Sequence, residues 1–195
     1  PGAFSSGINS DGLALADTHI GWLRPGIGWL RYLLMNEILI NAANVPEALD
    51  LVESRPHVGG GSLVIADAAG CMAAVELGSK KVMVSAAAGR GIAQTNHFLD
   101  PQLAEVQTRH ADDPASMNSS DRLRQLDAWL DTERANGTTL DTMARLLAGH
   151  PDGTGAALCR HGGDNGSTTI STTLFACKSR RLYFCPGNPC SEPWR

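Results

Sequence analysis

Three short apolar runs near the middle of the chain constrain its fold most. They are Ser62-Leu63-Val64-Ile65-Ala66, Cys71-Met72-Ala73-Ala74-Val75-Glu76-Leu77 and Lys81-Val82-Met83-Val84-Ser85. Between them stand Asp67-Ala68-Ala69-Gly70 and Gly78-Ser79-Lys80. Such residues favour tight reversals, because Asp and Ser bond their own backbone and Gly accepts positive φ. Runs this short, separated by turn chemistry, predict an antiparallel meander rather than helices.

The flanking segments fall into groups around that sheet. Ile8-Asn9-Ser10-Asp11-Gly12 predicts a tight turn between two strands, the second running from Leu13-Ala14-Leu15-Ala16 into Asp17-Thr18-His19. Trp29, Leu30, Leu33, Leu34 and Ile38 keep a helical period to about Ala42. A second helix is marked by Asn44 as its cap, Pro46 in the first turn and Glu47 where an acid suits the dipole. Pro56 and Gly59-Gly60-Gly61 end it. After the meander, Gly91-Ile92-Ala93-Gln94 reads as one more strand, delivering the chain to Thr95-Asn96-His97. Ser119 or Ser120 is expected to cap a helix faced by Leu123, Leu126, Trp129 and Leu130 and closed by Asn136-Gly137. Thr138 is expected to cap another, with Leu140, Met143, Leu146 and Leu147 on its face. The β-branched stretch from Thr168 to Phe175 then pairs with Arg181-Leu182-Tyr183-Phe184 across Lys178-Ser179-Arg180. Grouped strands and helices in this order make one α+β layered domain over residues 1–195.

Composition removes several classes of function. The formal charge is −4 with Lys and Arg scattered, so no basic face is offered to nucleic acid. No run approaches the roughly 18 consecutive apolar residues of a membrane span. The five cysteines are odd in number and lack paired close spacing, which argues against a zinc site. Cys185 and Cys190 bracket Pro186-Gly187-Asn188-Pro189 as a small disulfide loop or as two reduced thiols. Reduced thiols are preferred, which leans toward a cytoplasmic setting, because a chain of this size needs no staples. The chain begins at Pro1 without an initiator methionine or a signal-peptide pattern, as a processed or trimmed piece of something longer would.

No Gly-x-Ser-x-Gly elbow, Walker loop or His-Glu-x-x-His is present. Gly59-Gly60-Gly61 reads as a lead into a strand rather than an anion cradle, since no helix follows it. Cys71 and Cys159 sit in apolar contexts and read as buried small hydrophobes. Two polar clusters remain. One is Thr95-Asn96-His97, where amide, hydroxyl and imidazole stand together at a strand end; its plain reading is a satisfied structural pair. The other is Arg160-His161, whose plain reading is a surface loop.

Several blocks together resemble one family. They are Gly7-Ile8-Asn9-Ser10-Asp11-Gly12-Leu13, Asn44-Val45-Pro46-Glu47-Ala48-Leu49, Gly61 through Gly70 with Val75-Glu76, and Thr95-Asn96-His97-Phe98-Leu99. Ser120-Asp121-Arg122-Leu123, Leu158-Cys159-Arg160-His161 and Gly187-Asn188-Pro189-Cys190 complete the set. In this order they are similar to the acyl-coenzyme A:6-aminopenicillanic acid acyltransferase (isopenicillin-N acyltransferase-like) family of cysteine N-terminal-nucleophile (Ntn) hydrolases. The resemblance implies a four-layer αββα sandwich and a precursor that cuts itself before a cysteine. The freed thiolate then attacks an amide or thioester carbonyl, with its own α-amino group as base. It implies that Asn96 helps hold the oxyanion. Ser62 aligns with a serine near the nucleophile, and Thr95, His97, Arg160 and His161 support the site. No metal or organic cofactor is implied. The substrate would be a small N-acyl compound (a β-lactam, an acyl amino acid or a signalling amide), with an acyl thioester as a possible donor.

One departure stands out. Residue 1 is proline, and none of the five cysteines occupies the family's nucleophile position. The strands bearing the nucleophile are therefore expected on a companion chain or segment, and this piece alone is expected to be inactive. Two other readings stand beside this one. They are a penicillin V acylase or bile-salt-hydrolase-like amidase, and a non-catalytic binding domain that has lost the nucleophile.

Overall fold

Asn9 shows how the first hairpin is set. Its Oδ1 accepts from the backbone N–H of Asp11 and Leu13, closing the turn between β1 (Ser6–Ile8) and β2 (Ala14–Thr18). Its Nδ2 donates to the carbonyls of Leu39 and Ala42, fastening that turn to the end of helix α1 (Arg31–Asn41). The computed structural model describes residues 5–87, 91–108, 113–133, 137–150, 156–162 and 167–195. The predicted meander is present as β3 (Ser62–Ala66), β4 (Met72–Leu77) and β5 (Val82–Ala86). Among the described residues, β1 to β5 form one antiparallel sheet in sequence order.

Alternation along the strands gives this sheet two different faces. Leu15, Leu63, Ile65, Val75 and Leu77 are buried against α1 and helix α2 (Val45–Glu53), where Leu34, Ile38, Ala48 and Val52 complete the core. Asn44 caps α2 as predicted, accepting from the Glu47 N–H at 3.0 Å, and Pro46 sits in the first turn. The opposite face carries Ser62 and Glu76, which are paired in register. Glu76 accepts from the backbone N–H of Leu99 and Asp100, at 2.5 and 2.9 Å. It thereby holds the loop after Asn96 onto that face, with Ile20, Phe98 and Leu103 buried beneath.

A buried ion pair locks the front of α1. Arg31 Nε lies 2.7 Å from Asp17 Oδ2, and both side chains are nearly inaccessible. A guanidinium N–H also bonds the Gly60 carbonyl. Gly61 has φ +116°, and a Cβ there would collide with Arg31. Gly60 and Gly61 use their backbone groups in pairing with Leu77, as a lead into β3 rather than an anion cradle.

Several predicted boundaries move. Residues 91–94 form no strand: Gly91 is pressed against Leu130, and the polar groups that follow bond to helix α4 (Pro114–Glu133) instead of a ladder. That helix starts well before Ser119. Asp113 Oδ1 accepts from the Ala115 N–H and Pro114 takes the first helical position, a start signal the serines obscured. Asn136 lies outside the described residues. Helix α5 (Leu140–Leu147), which follows the four-residue α3 (Pro101–Ala104) and α4, is capped by Thr139 rather than Thr138, in a reciprocal box with Thr142. Cys71 is exposed rather than buried, since it lies in the turn organised by Asp67. The last hairpin forms as β6 (Ser171–Ala176) with β7 (Arg181–Pro186), starting after Thr168, and makes a two-stranded sheet of its own.

Candidate functional site

The Thr95-Asn96-His97 corner is built by one helical serine. Ser119 is fully buried in α4, and its Oγ accepts from the Asn96 backbone N–H at 2.8 Å. The same hydroxyl lies 2.8 Å from His97 Nδ1. Thr95 Oγ1 donates to the Ser119 carbonyl at 3.0 Å. Ser119 Oγ accepts the Asn96 N–H and still has a lone pair and a hydrogen for Nδ1, so the contact holds in either imidazole tautomer. Burial, and then the charge of Arg122, hold the His97 pKa below its ordinary value. His97 is a neutral tie between loop and helix.

Asn96 itself is gripped at both ends of its amide. Oδ1 accepts from Arg122 Nη2 at 2.9 Å, and Nδ2 donates to the His19 carbonyl at 3.1 Å. An arginine cannot accept and a carbonyl cannot donate, so the amide has a single consistent orientation. Among the described residues, one of its two N–H groups remains available to a ligand. The cleft it faces has a volume of about 520 Å³ and is walled also by His19, Asn118, Arg122 and Arg160. No carboxylate lines it among the described residues. Arg122 donates from Nε to Asn118 at 2.9 Å, and burial followed by the charge of Arg160 lowers its pKa. Two guanidinium groups therefore share the cleft.

Other residues singled out from the sequence lie elsewhere. Ser62 is buried with its Oγ 2.6 Å from Thr18 Oγ1, and it does not line the cleft. It touches the end of β2 one residue before His19, whose carbonyl orients Asn96. The Arg160-His161 pair is split. Arg160 lines the cleft, whereas His161 joins His150, Cys159 and Cys190, whose donor atoms all lie within 4.8 Å of one another. These four residues could hold a metal ion. Close cysteine spacing gave no sign of them, because the fold gathers them from three separate segments. Arg122 and Ser119 were also missed as site residues, since only the true course of α4 brings them to the corner.

None of the five cysteines lines the cleft. Cys177 and Cys185 have thiols pushed up in pKa, chiefly by burial. Cys185 and Cys190 form no bridge.

The chain has a fold shared with solved Ntn-type enzymes. Two mutant forms of the conjugated bile acid hydrolase from Clostridium perfringens superpose with TM-scores of 0.64 and 0.62, at 15% and 13% identity. In each case 99% of this chain and 76% of the other are covered. At that identity the likeness shows the fold, a mixed arrangement of helices and strands of the Ntn-hydrolase kind. The sequence settles the family: the chain belongs to the acyl-coenzyme A:6-aminopenicillanic acid acyl-transferase family, whose sequence model matches residues 3–191. No curated relative matches it. The matched family is thus one of acyl-transferases, and the superposed structures are those of a conjugated bile acid hydrolase.

Proposed function

We propose that these residues are most of the β-chain of a self-processing amidase or acyltransferase acting on a small N-acyl substrate. The nucleophile is an N-terminal cysteine carried by a companion segment, and its α-amino group, with a pKa near ~8, takes the thiol proton. The thiolate attacks the acyl carbonyl, the oxyanion that forms is held by the free N–H of Asn96, and the leaving amine departs with a proton. The acyl-enzyme then passes its acyl group to water or to a second amine. An acyl thioester would serve equally as donor. On this reading the 195 residues alone turn over no substrate, and turnover by them alone would overturn it.

The observation that carries the proposal is the doubly anchored Asn96 amide on the cleft wall. A donor held before the charge develops costs no reorganisation, and such a donor contributes roughly 3 kcal/mol. The absence of cysteine from the cleft lining fits a nucleophile supplied from outside. The β6–β7 sheet also supports it. Two strands alone are marginal in water, and Leu182 and Phe184 stand exposed on this pair. Strands of the companion segment would complete the four-layer αββα sandwich. Arg122 and Arg160, with no acidic lining residue opposite among the described residues, favour a substrate bearing a carboxylate, such as an acyl amino acid or a β-lactam, over a neutral amide.

Asn96→Ala in the complete enzyme is expected to lower kcat about 100- to 1,000-fold with the circular dichroism spectrum intact. Unchanged turnover would remove Asn96 from the oxyanion site. The likeness to bile acid hydrolases favours a second reading, an amidase of larger conjugated substrates, which hydrolysis of conjugated bile acids by the complete enzyme would establish. A gene encoding no cysteine-led segment upstream would leave a binding scaffold instead.

A further inference from the structure

Four of the six donor–donor distances in the cluster beside the cleft are close to the edges of a coordination sphere, and all lie within 4.8 Å. Cys159 and His161 stand two apart, with His161 bridged to Thr168, and both reach the cluster while Arg160 between them lines the cleft. Cys190 arrives from the turn after β7, and His150 from the end of α5. A tetrahedral zinc with Zn–S of about 2.3 Å and Zn–N of about 2.0–2.1 Å sets its donors apart by fixed edges. These are about 3.3 Å between nitrogens, about 3.6 Å from nitrogen to sulfur and about 3.8 Å between sulfurs. Here His150 Nε2 and His161 Nε2 are 3.3 Å apart, and Cys159 Sγ and Cys190 Sγ are 3.6 Å apart. His161 Nε2 lies 3.6 Å from Cys159 Sγ and 3.2 Å from Cys190 Sγ. A disulfide would need the sulfurs at about 2.05 Å.

The surroundings support the same reading. Asn188 Nδ2 approaches Cys159 Sγ at 3.5 Å and donates to the Arg160 carbonyl at 2.7 Å. One amide thus steadies both the sulfur and the backbone behind it, as groups around bound metals do. The Cys159 N–H bonds the Gly149 carbonyl, so the segments bearing His150 and Cys159 are already tied.

We infer that His150, Cys159, His161 and Cys190 form a closed tetrahedral site for a thiophilic divalent cation, zinc foremost, which clamps the C-terminal tail and the end of α5 to the segment carrying Arg160. Each thiol gives up its proton as its sulfur binds, so two thiolates balance the dication. With all four positions taken by protein, the ion activates no water and its role is structural. The site stands whether or not Asn96 serves an oxyanion.

The complete protein, purified without chelator, is analysed for zinc by plasma mass spectrometry and then exchanged with cobalt(II). The expected result is about one zinc per chain and, with cobalt, the intense visible bands of a tetrahedral ion with thiolate-to-cobalt charge transfer. Cys190→Ser and His150→Ala, both at exposed positions, are each expected to abolish the charge-transfer spectrum or reduce its intensity sharply. Asn188→Ala is expected to weaken zinc binding about 10- to 100-fold in competition with a chromophoric chelator. Wild-type protein that takes up neither metal would overturn the inference. So would a Cys159–Cys190 disulfide by mass spectrometry, or a cobalt spectrum untouched by Cys190→Ser and His150→Ala.

Discussion

Arg122 and Arg160 share a cleft but stand in different relations to Asn96. Arg122 bonds the Asn96 amide directly, whereas Arg160 only adds charge and lining. Arg160→Ala is therefore expected to raise KM for carboxylate-bearing substrates about 10-fold or more, as loss of a charged hydrogen bond does, with kcat little changed. Arg122→Ala should raise KM and lower kcat as well, since Asn96 loses the partner that fixes its amide. Steady-state kinetics with an acyl amino acid and its methyl ester separate the two; equal effects on acid and ester would remove the carboxylate from the account. Asn96 was legible because a motif marked it. Arg122 stood in a quoted block without a role, since nothing in Ser120-Asp121-Arg122-Leu123 says which way a helix will turn that side chain. The division of Arg160 from His161 was hidden for a similar reason: these neighbours in sequence become residents of two sites.

Helix α4 meets the corner through Ser119, a buried serine near the middle of its first half. Ser119→Ala removes the acceptor of the Asn96 N–H and the partner of His97. An unsatisfied donor costs about 1–3 kcal/mol when buried, and this one is part-buried, so the urea midpoint should fall by the lower end of that range. A midpoint equal to that of wild type would mean that water replaces the hydroxyl. Helix existence was readable from the periodic leucines, as were the turns and the three-strand meander. Boundaries were not. Asp113-Pro114 and Ser119-Ser120 both look like helix starts, and the choice between them depends on whether the serine is needed by a loop more than 20 residues earlier in the chain. The missing strand at 91–94 is the same lesson in reverse. Short apolar runs pair only if an edge is free, and this one packs on α4 instead.

At the scale of the whole molecule, two histidines set the response to acid. His57 Nε2 donates to the Val52 carbonyl at 2.8 Å, and its buried Nδ1 has no partner among the described residues. Burial holds the pKa of His57, and of His97, below 6.5. The unfolded chain therefore takes up these protons first. Their stabilisation is complete above about pH 6.5 and is lost as pH falls through the folded pKa values. Glu76 acts oppositely, since burial raises its pKa and protonation favours the folded state at lower pH. Urea unfolding is expected to show falling stability from about pH 7 to about pH 5. His57→Gln should flatten that slope, and an unaltered slope would exclude His57. The grouped order of elements made the α+β class readable, because each group needed only local signals. The site's electrostatics did not come that way, for they depend on which distant groups share a dry space. Arg31, Asp17 and Gly61 have a last consequence, for inheritance. A side chain at 61 evicts the guanidinium, and a vanished guanidinium strands the Asp17 carboxylate, a loss of about 3–5 kcal/mol for either break alone. Drift at this corner is all or none, so relatives of the chain should have changed these three positions together or kept all three.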